Sequence, residues 1–146
     1  MEESIKIIKA NSEKEVADAQ EVRRKVFIEE QKISPELDLD GEDKNSDHFV
    51  AYSGNTPIGT TRIRYLDNGV AKIERTSIVL SFRGKNVGKK LMEESLSYIK
   101  TKGIKEVMLY AQEHARGFYE KLGFKQEGDV FEEVGIPHVK MVLILN

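Results

Sequence analysis

The chain has 146 residues, 23 of them basic and 25 acidic, with a formal net charge of −2 at pH 7; that suits one domain, residues 1–146, and argues against a general nucleic-acid-binding surface, so any anion site must be local. The absence of cysteine excludes disulfides, thiolate zinc sites and a cysteine nucleophile. No apolar run approaches the ~20 residues that span a bilayer, and MEESIKIIKA lacks the apolar core of a signal peptide, so the expectation is a cytoplasmic protein with no membrane partner.

In chain order, SIKIIKA at 4–10 is short and β-prone. Ser12 then offers an N-cap and Glu15, three residues on, completes a capping box. A helix is predicted from about 13 to 31, because Val16, Ala19, Val22, Val26 and Phe27 recur at helical spacing. Arg23, Arg24, Glu29 and Glu30 fall largely off that stripe, on what would by default be a solvated face. Pro35 and the acidic run ELDLDGED at 36–43 end the pattern and read as a loop. From 48 the period becomes that of sheets: HFVAY, the turn SGNTP, IGTTRIRYL, then DNG, then VAKIERTSIVL. Asn-Gly tolerates positive φ at both turn positions, so 48–80 reads as an antiparallel meander. Val87, Leu91, Met92, Leu96 and Ile99 give a helix ending near Gly103. IKEVMLYA at 104–111 reads as a strand and HARGFYEKL at 114–122 as a short helix closed by Gly123. FKQEGDVFEEV and IPHVKMVLIL read as two final strands. The order β-α-β-β-β-α-β-α-β-β predicts an α/β (α+β) domain around one mixed, mostly antiparallel sheet flanked by helices.

The basic, glycine-punctuated stretch RGKNVGKKL at 83–91 lies where strand turns into helix, a place suited to binding anions. A nucleoside-triphosphate loop needs four residues between its first glycine and a Gly-Lys pair followed by Ser or Thr. Here Gly84 and Gly88 enclose three, and Lys90 follows Lys89. A dinucleotide fingerprint needs G-x-G-x-x-G in a parallel βαβ unit, and an antiparallel meander precedes this loop.

A third reading is coenzyme A pyrophosphate. IERTSIVLSFRGKNVGKKLMEE resembles the signature of GNAT-type N-acetyltransferases, a loop of the form Arg/Gln-x-x-Gly-x-Gly/Ala between the fourth strand and the next helix. Arg83 and Gly88 match, whereas Asn86 replaces the central glycine; asparagine tolerates positive φ but crowds a phosphate. YAQEHARGFYEKLGF at 110–124 is similar to the family's later signature, with Ala115, Phe118, Tyr119, Gly123 and Phe124 matching and Gln112 where Asn is usual. RRKVFIEEQ at 23–31 and GIPHVKM at 135–141 resemble the small bacterial members of the ElaA and YjcF kind, whose acetyl acceptor is generally unassigned.

The resemblance implies acetyl-CoA as co-substrate and names no acceptor; the expectation set beside it is transfer to a primary amine of a small molecule, with no metal and with room for a homodimer. It implies that pantetheine pairs with Ile78, Val79 and Leu80 on a strand splayed from its neighbour. It implies that the amides of Arg83, Gly84, Lys85, Asn86, Val87, Gly88 and Lys89 hold the pyrophosphate, with Gln112 and Phe118 nearby. Tyr119 matches the usual general acid; a phenol of pKa near ~10 can protonate a departing thiolate, though a packing role suits the same residue. Strand alternation puts Glu74 on the face of Thr76 and Ile78, as a base acting through water or as the partner of Arg64 or Lys72. His138 is the rival base, ahead of His48 and His114, and the three histidines lack metal-site spacing. Arg24, Phe27, Glu29 and Glu30 lie where this fold builds its acceptor pocket. Two alternatives stand beside an N-acetyltransferase. One is a non-catalytic acyl-CoA sensor. The other is a relative of the acyl-homoserine lactone synthases, suggested by Asp38-Leu39-Asp40 and the Arg…Val-Phe of the first helix.

Overall fold

A computed structural model describes residues 4–146. In chain order the elements are β1 (Ile5–Lys9), α1 (Glu13–Arg23), a one-turn α2 (Pro35–Asp38), β2 (Asp47–Ser53), β3 (Thr56–Tyr65), β4 (Ala71–Ile78), α3 (Val87–Thr101), β5 (Glu106–Gln112), α4 (Arg116–Lys121), β6 (Lys125–Gln126), β7 (Phe131–Glu133) and β8 (Ile136–Ile144). The N-cap forms as expected, with Ser12 Oγ accepting from the Glu15 amide at 3.2 Å, while the Glu15 carboxylate reaches one residue further back than a capping box requires and accepts from the Asn11 amide at 2.9 Å. The predicted helix reaches position 30, but α1 widens at Arg24–Glu30 into a π-helix whose Gln31 amide bonds Val26 at 3.0 Å. Such widenings re-aim side chains and concentrate at functional sites.

Among the described residues, eight strands join one sheet in the order β1-β2-β3-β4-β5-β8-β6, with β7 also on β8, and only the β4–β5 pair is parallel. The expected penultimate strand is two short ones. Gly128 takes φ 86° and Gln126 Nε2 donates to its carbonyl at 2.9 Å, a local turn that interrupts pairing with β8.

Alternation along β2 explains the layering. Phe49 and Ala51 join the core under α3, with Leu91, Met92 and Ile99, while Val50 packs with Ala19 of α1 on the opposite face. Gly59 of β3 lets α3 approach closely, for a Cβ there would lie 2.8 Å from Ile78 Cδ1 and 3.1 Å from Leu91 Cδ1. One expectation about charge needs correcting, for Arg23 is fully buried rather than on a solvated face. The acidic run, read as a loop, begins with the helical turn of α2 and turns Asp38, Asp40 and Asp43 inward onto arginines. Among the described residues, no helix is long and apolar enough to cross a membrane.

Candidate active site

β4 and β5 pair only from Ala71–Ile73 to Val107–Leu109. Past that point β5 continues with β8 to the Gln112–His138 pair, while β4 continues with β3 to Ile78. The strands part because β4 carries an extra residue: the β3–β4 register shifts between Thr60 and Arg62, and Arg75 takes φ 58°. The Val79 amide is committed to the Ile58 carbonyl at 2.9 Å. Ile78 therefore turns its own amide and carbonyl toward the gap, where the carbonyl accepts from Arg83 Nε at 2.8 Å. Leu80 begins a tight turn to Phe82 and stands exposed.

At the next bend Gly84 and Asn86 take φ 77° and 65°, so the asparagine does adopt the left-handed conformation expected of it. The first intrahelical bond of α3 runs from the Lys90 amide to the Asn86 carbonyl at 3.1 Å, with no side-chain cap. The amides of Val87, Gly88 and Lys89 thus lack helical acceptors at the positive end of a 15-residue helix, a suitable cradle for a diphosphate. A Cβ at Gly88 would lie 3.4 Å from the Phe118 ring, an ordinary van der Waals contact that places this ring against the start of α3. Lys85 lies over the Phe82 ring, with Nζ 5.3 Å from its centroid.

The gap opens onto a cavity of about 240 Å³ whose lining includes Phe27, Glu74, Gln112, Tyr119 and His138. Tyr119 is buried between Phe118 and Phe124. Burial raises its pKa and the neighbouring Thr76 hydroxyl partly offsets this, so the phenol is protonated at neutral pH. Thr76 is in turn 2.7 Å from Thr61 Oγ1. His138 donates from Nδ1 to the Ile136 carbonyl at 2.7 Å, which leaves the lone pair of the neutral ring on Nε2, 3.9 Å from Glu133. Gln112 exchanges amide hydrogen bonds with Gln31, donating at 3.0 Å and accepting at 3.4 Å, and its oxygen also lies 2.8 Å from His114 Nε2.

Behind the cavity stands a network of buried charge. Arg62, fully buried, donates to Asp40 at 2.9 and 2.8 Å, to Asp43 at 3.0 Å and from Nε to Glu74 at 3.1 Å. Arg23 donates to the Asp38 carboxylate at 3.1 Å, the Asp38 carbonyl at 3.0 Å and Asp43 at 2.8 Å. Such burial is tolerable because carboxylates and a carbonyl take up the guanidinium donors. Lys72 and Arg64 approach Glu74 at 3.3 and 3.6 Å. Burial pushes the Glu74 carboxyl up, but the charges of Arg62 and Lys72 outweigh it and hold the pKa below its ordinary value.

Of the acceptor-pocket residues read from the sequence, only Phe27 lines the cavity. Arg24 is tied to Glu21 and Glu29 on the surface, and both terminal nitrogens of Arg83 bond Glu30 at 2.6 Å. Sequence reasoning missed Asp38 and Arg75 in the cavity wall and Arg62 behind it. Alternation put Thr76 on the face of Glu74, but the extra residue at Arg75 breaks it: Glu74 bonds Arg62 while Thr76 bonds Thr61, neighbours on β3 that face opposite ways, and no local signal marks that bulge.

The sequence model of the acetyltransferase (GNAT) domain matches residues 7–145. The uncharacterised N-acetyltransferase YjcF of Bacillus subtilis is 34% identical, covering 94% of this chain and 99% of YjcF. ElaA of Escherichia coli is 32% identical over 83% of this chain and 82% of its own length. The ElaA crystal structure superposes with a TM-score of 0.85 at 28% identity, covering 95% of this chain and 99% of that one. An acyl-CoA N-acyltransferase from Pseudomonas aeruginosa does so with a TM-score of 0.84 at 26% identity and the same coverage.

Proposed function

Because this chain belongs to the GNAT acetyltransferase family, whose fold serves acyl-CoA-dependent acyl transfer, we propose that it carries an acetyl group from acetyl-CoA to a primary amine of a small molecule, by direct attack in a ternary complex. The observation that carries this reading is the parting of β4 from β5 beyond Ile73 and Leu109, straight onto the cavity that Tyr119 and His138 line. Acetyl-CoA supplies an activated thioester; the remaining work falls to the chain's own groups.

The amides of Val87, Gly88 and Lys89 hold the pyrophosphate, and the edge of β4 at Ile78 offers an amide and a carbonyl to pantetheine. A backbone amide in this gap is a fixed donor for the thioester oxygen as negative charge develops there. Tyr119, protonated and dry, returns a proton to the sulfur. The amine must lose a proton. Glu74 is a poor acceptor, ionised and already engaged by Arg62 and Lys72, whereas His138 presents a lone pair on Nε2. In this reading Glu74 anchors the wall and His138 is the base.

The test is release of free CoA from acetyl-CoA with a panel of primary amines, run beside thermal unfolding with acetyl-CoA. Stabilisation together with amine-dependent CoA release is expected. Stabilisation with no release for any amine would leave an acyl-CoA sensor, and no stabilisation at millimolar acetyl-CoA would sink both.

A further inference from the structure

The cavity carries a chemical bias of its own. Phe27, Ile33 and Leu37 line it together with Val134, which sits in the turn between β7 and β8. Leu37 and Val134 are 51% and 44% exposed. Scattered apolar residues on a surface need no explanation, but two bordering one cavity form a patch suited to an apolar ligand.

The turn itself reinforces the point. Val134 takes φ 49° and Gly135 φ 74°, so both central residues of a two-residue hairpin are left-handed, where Asn-Gly is the relaxed choice. A β-branched side chain there is an outlier, and outliers of this kind gather at ligand sites. The charges in the wall are also uneven. Arg75 lies on Asp38 at 3.3 Å and Asp40 at 3.2 Å, and Lys72 on Glu74 at 3.3 Å. Glu133 is half exposed, with His138 Nε2 at 3.9 Å. The rim therefore combines hydrocarbon with a carboxylate beside the proposed base.

We propose that the acceptor is a primary amine on an apolar body, an alkyl or arylalkyl amine, whose ammonium enters past Glu133 toward His138 while its hydrocarbon lies on Val134, Leu37, Ile33 and Phe27. This rests on the acetyl-transfer reading of the same site. It excludes polyamines and amino-acid zwitterions as preferred acceptors, since a second charge would sit on the apolar wall.

Calorimetric binding to the protein saturated with CoA tests the proposal without requiring turnover. n-Butylamine, n-hexylamine and n-octylamine share one head group, and affinity should rise roughly 2–4-fold per methylene. Val134→Asn, which suits the turn, should flatten that rise, and Glu133→Gln should weaken all three amines alike. Equal affinities across the series, tighter binding of spermidine, or an unchanged rise in the Val134→Asn protein would overturn the assignment. CoA release measured with the same amines separates the two layers. Length-dependent binding without acetylation refutes the transfer reading and leaves the amine site, whereas acetylation without length dependence does the reverse.

Discussion

Glu30 grips Arg83 through both terminal nitrogens at 2.6 Å, while Nε of the same guanidinium donates to the Ile78 carbonyl at 2.8 Å. The pair joins the end of the first helix to the loop that opens α3, across the stretch proposed for pantetheine and diphosphate. Both side chains are more than a third exposed, so the ion pair contributes under ~1 kcal/mol to stability. Glu30→Gln should leave the melting temperature unchanged and free Arg83 for the diphosphate, tightening acetyl-CoA by roughly 2–5-fold, the scale of one screened charge contact. Weaker acetyl-CoA binding in a titration would mean instead that the pair holds the loop in its binding shape.

Asn86→Gly relieves crowding beside the proposed diphosphate while keeping the left-handed bend. Donor affinity should be equal or improved, with stability within ~1 kcal/mol. A large loss of affinity would reveal a contact made by the asparagine side chain.

Tyr119→Phe keeps the buried ring and removes the proton. Thr76 retains Thr61 as partner, so stability should change by no more than about 1 kcal/mol. kcat should fall ~10²-fold or more with little change in acetyl-CoA affinity. Equal losses in kcat and affinity would assign the phenol to binding or packing.

His138→Ala should cut the rate at neutral pH and recover as pH rises toward the amine pKa near ~10, where the acceptor arrives already neutral. Glu74→Gln should chiefly lower stability, by about 1–3 kcal/mol, because Arg62 loses one carboxylate of three. A Glu74→Gln enzyme that folds normally and regains activity only at high pH, beside an unimpaired His138→Ala, would make the carboxylate the base.

Acid stability reports on the network behind the cavity. Burial pushes the Asp43 carboxyl up, but hydrogen bonds from Arg23 and Gln20 outweigh it and hold the pKa down at about 2. A pKa depressed in the folded state stabilises above the unfolded value, 3.8, and that contribution fades as pH falls through the folded one. Urea unfolding should show wild-type stability falling between about pH 4 and 2. Asp43→Asn should remove on the order of 2 kcal/mol at neutral pH and flatten that fall. An unchanged acid limb in the variant would remove Asp43 from the account.

The sequence by itself determined what depends on neighbours along the chain. The Ser12 N-cap, the meander around Asn68-Gly69, the amphipathic α3 and the left-handed bend at Asn86 follow from periodicity and backbone sterics within a few residues. Two partial signatures at 73–94 and 110–124 pointed to the family because each encodes a local shape, a strand-to-helix turn and a short helix closed by glycine. Only the tertiary structure decided the fate of the charges. Arg23 and Arg62 look like surface residues in isolation, yet Asp38, Asp40, Asp43 and Glu74 reach them from distant segments, and a buried guanidinium is tolerable only with such partners in place. The same holds for the bulge at Arg75, the π-helical turn that ends at Gln31, and the strained Val134, which arise where β4 leaves β5 and around the cavity that opens there. Their backbone geometry is set by packing across the sheet, and a one-dimensional pattern carries no record of it.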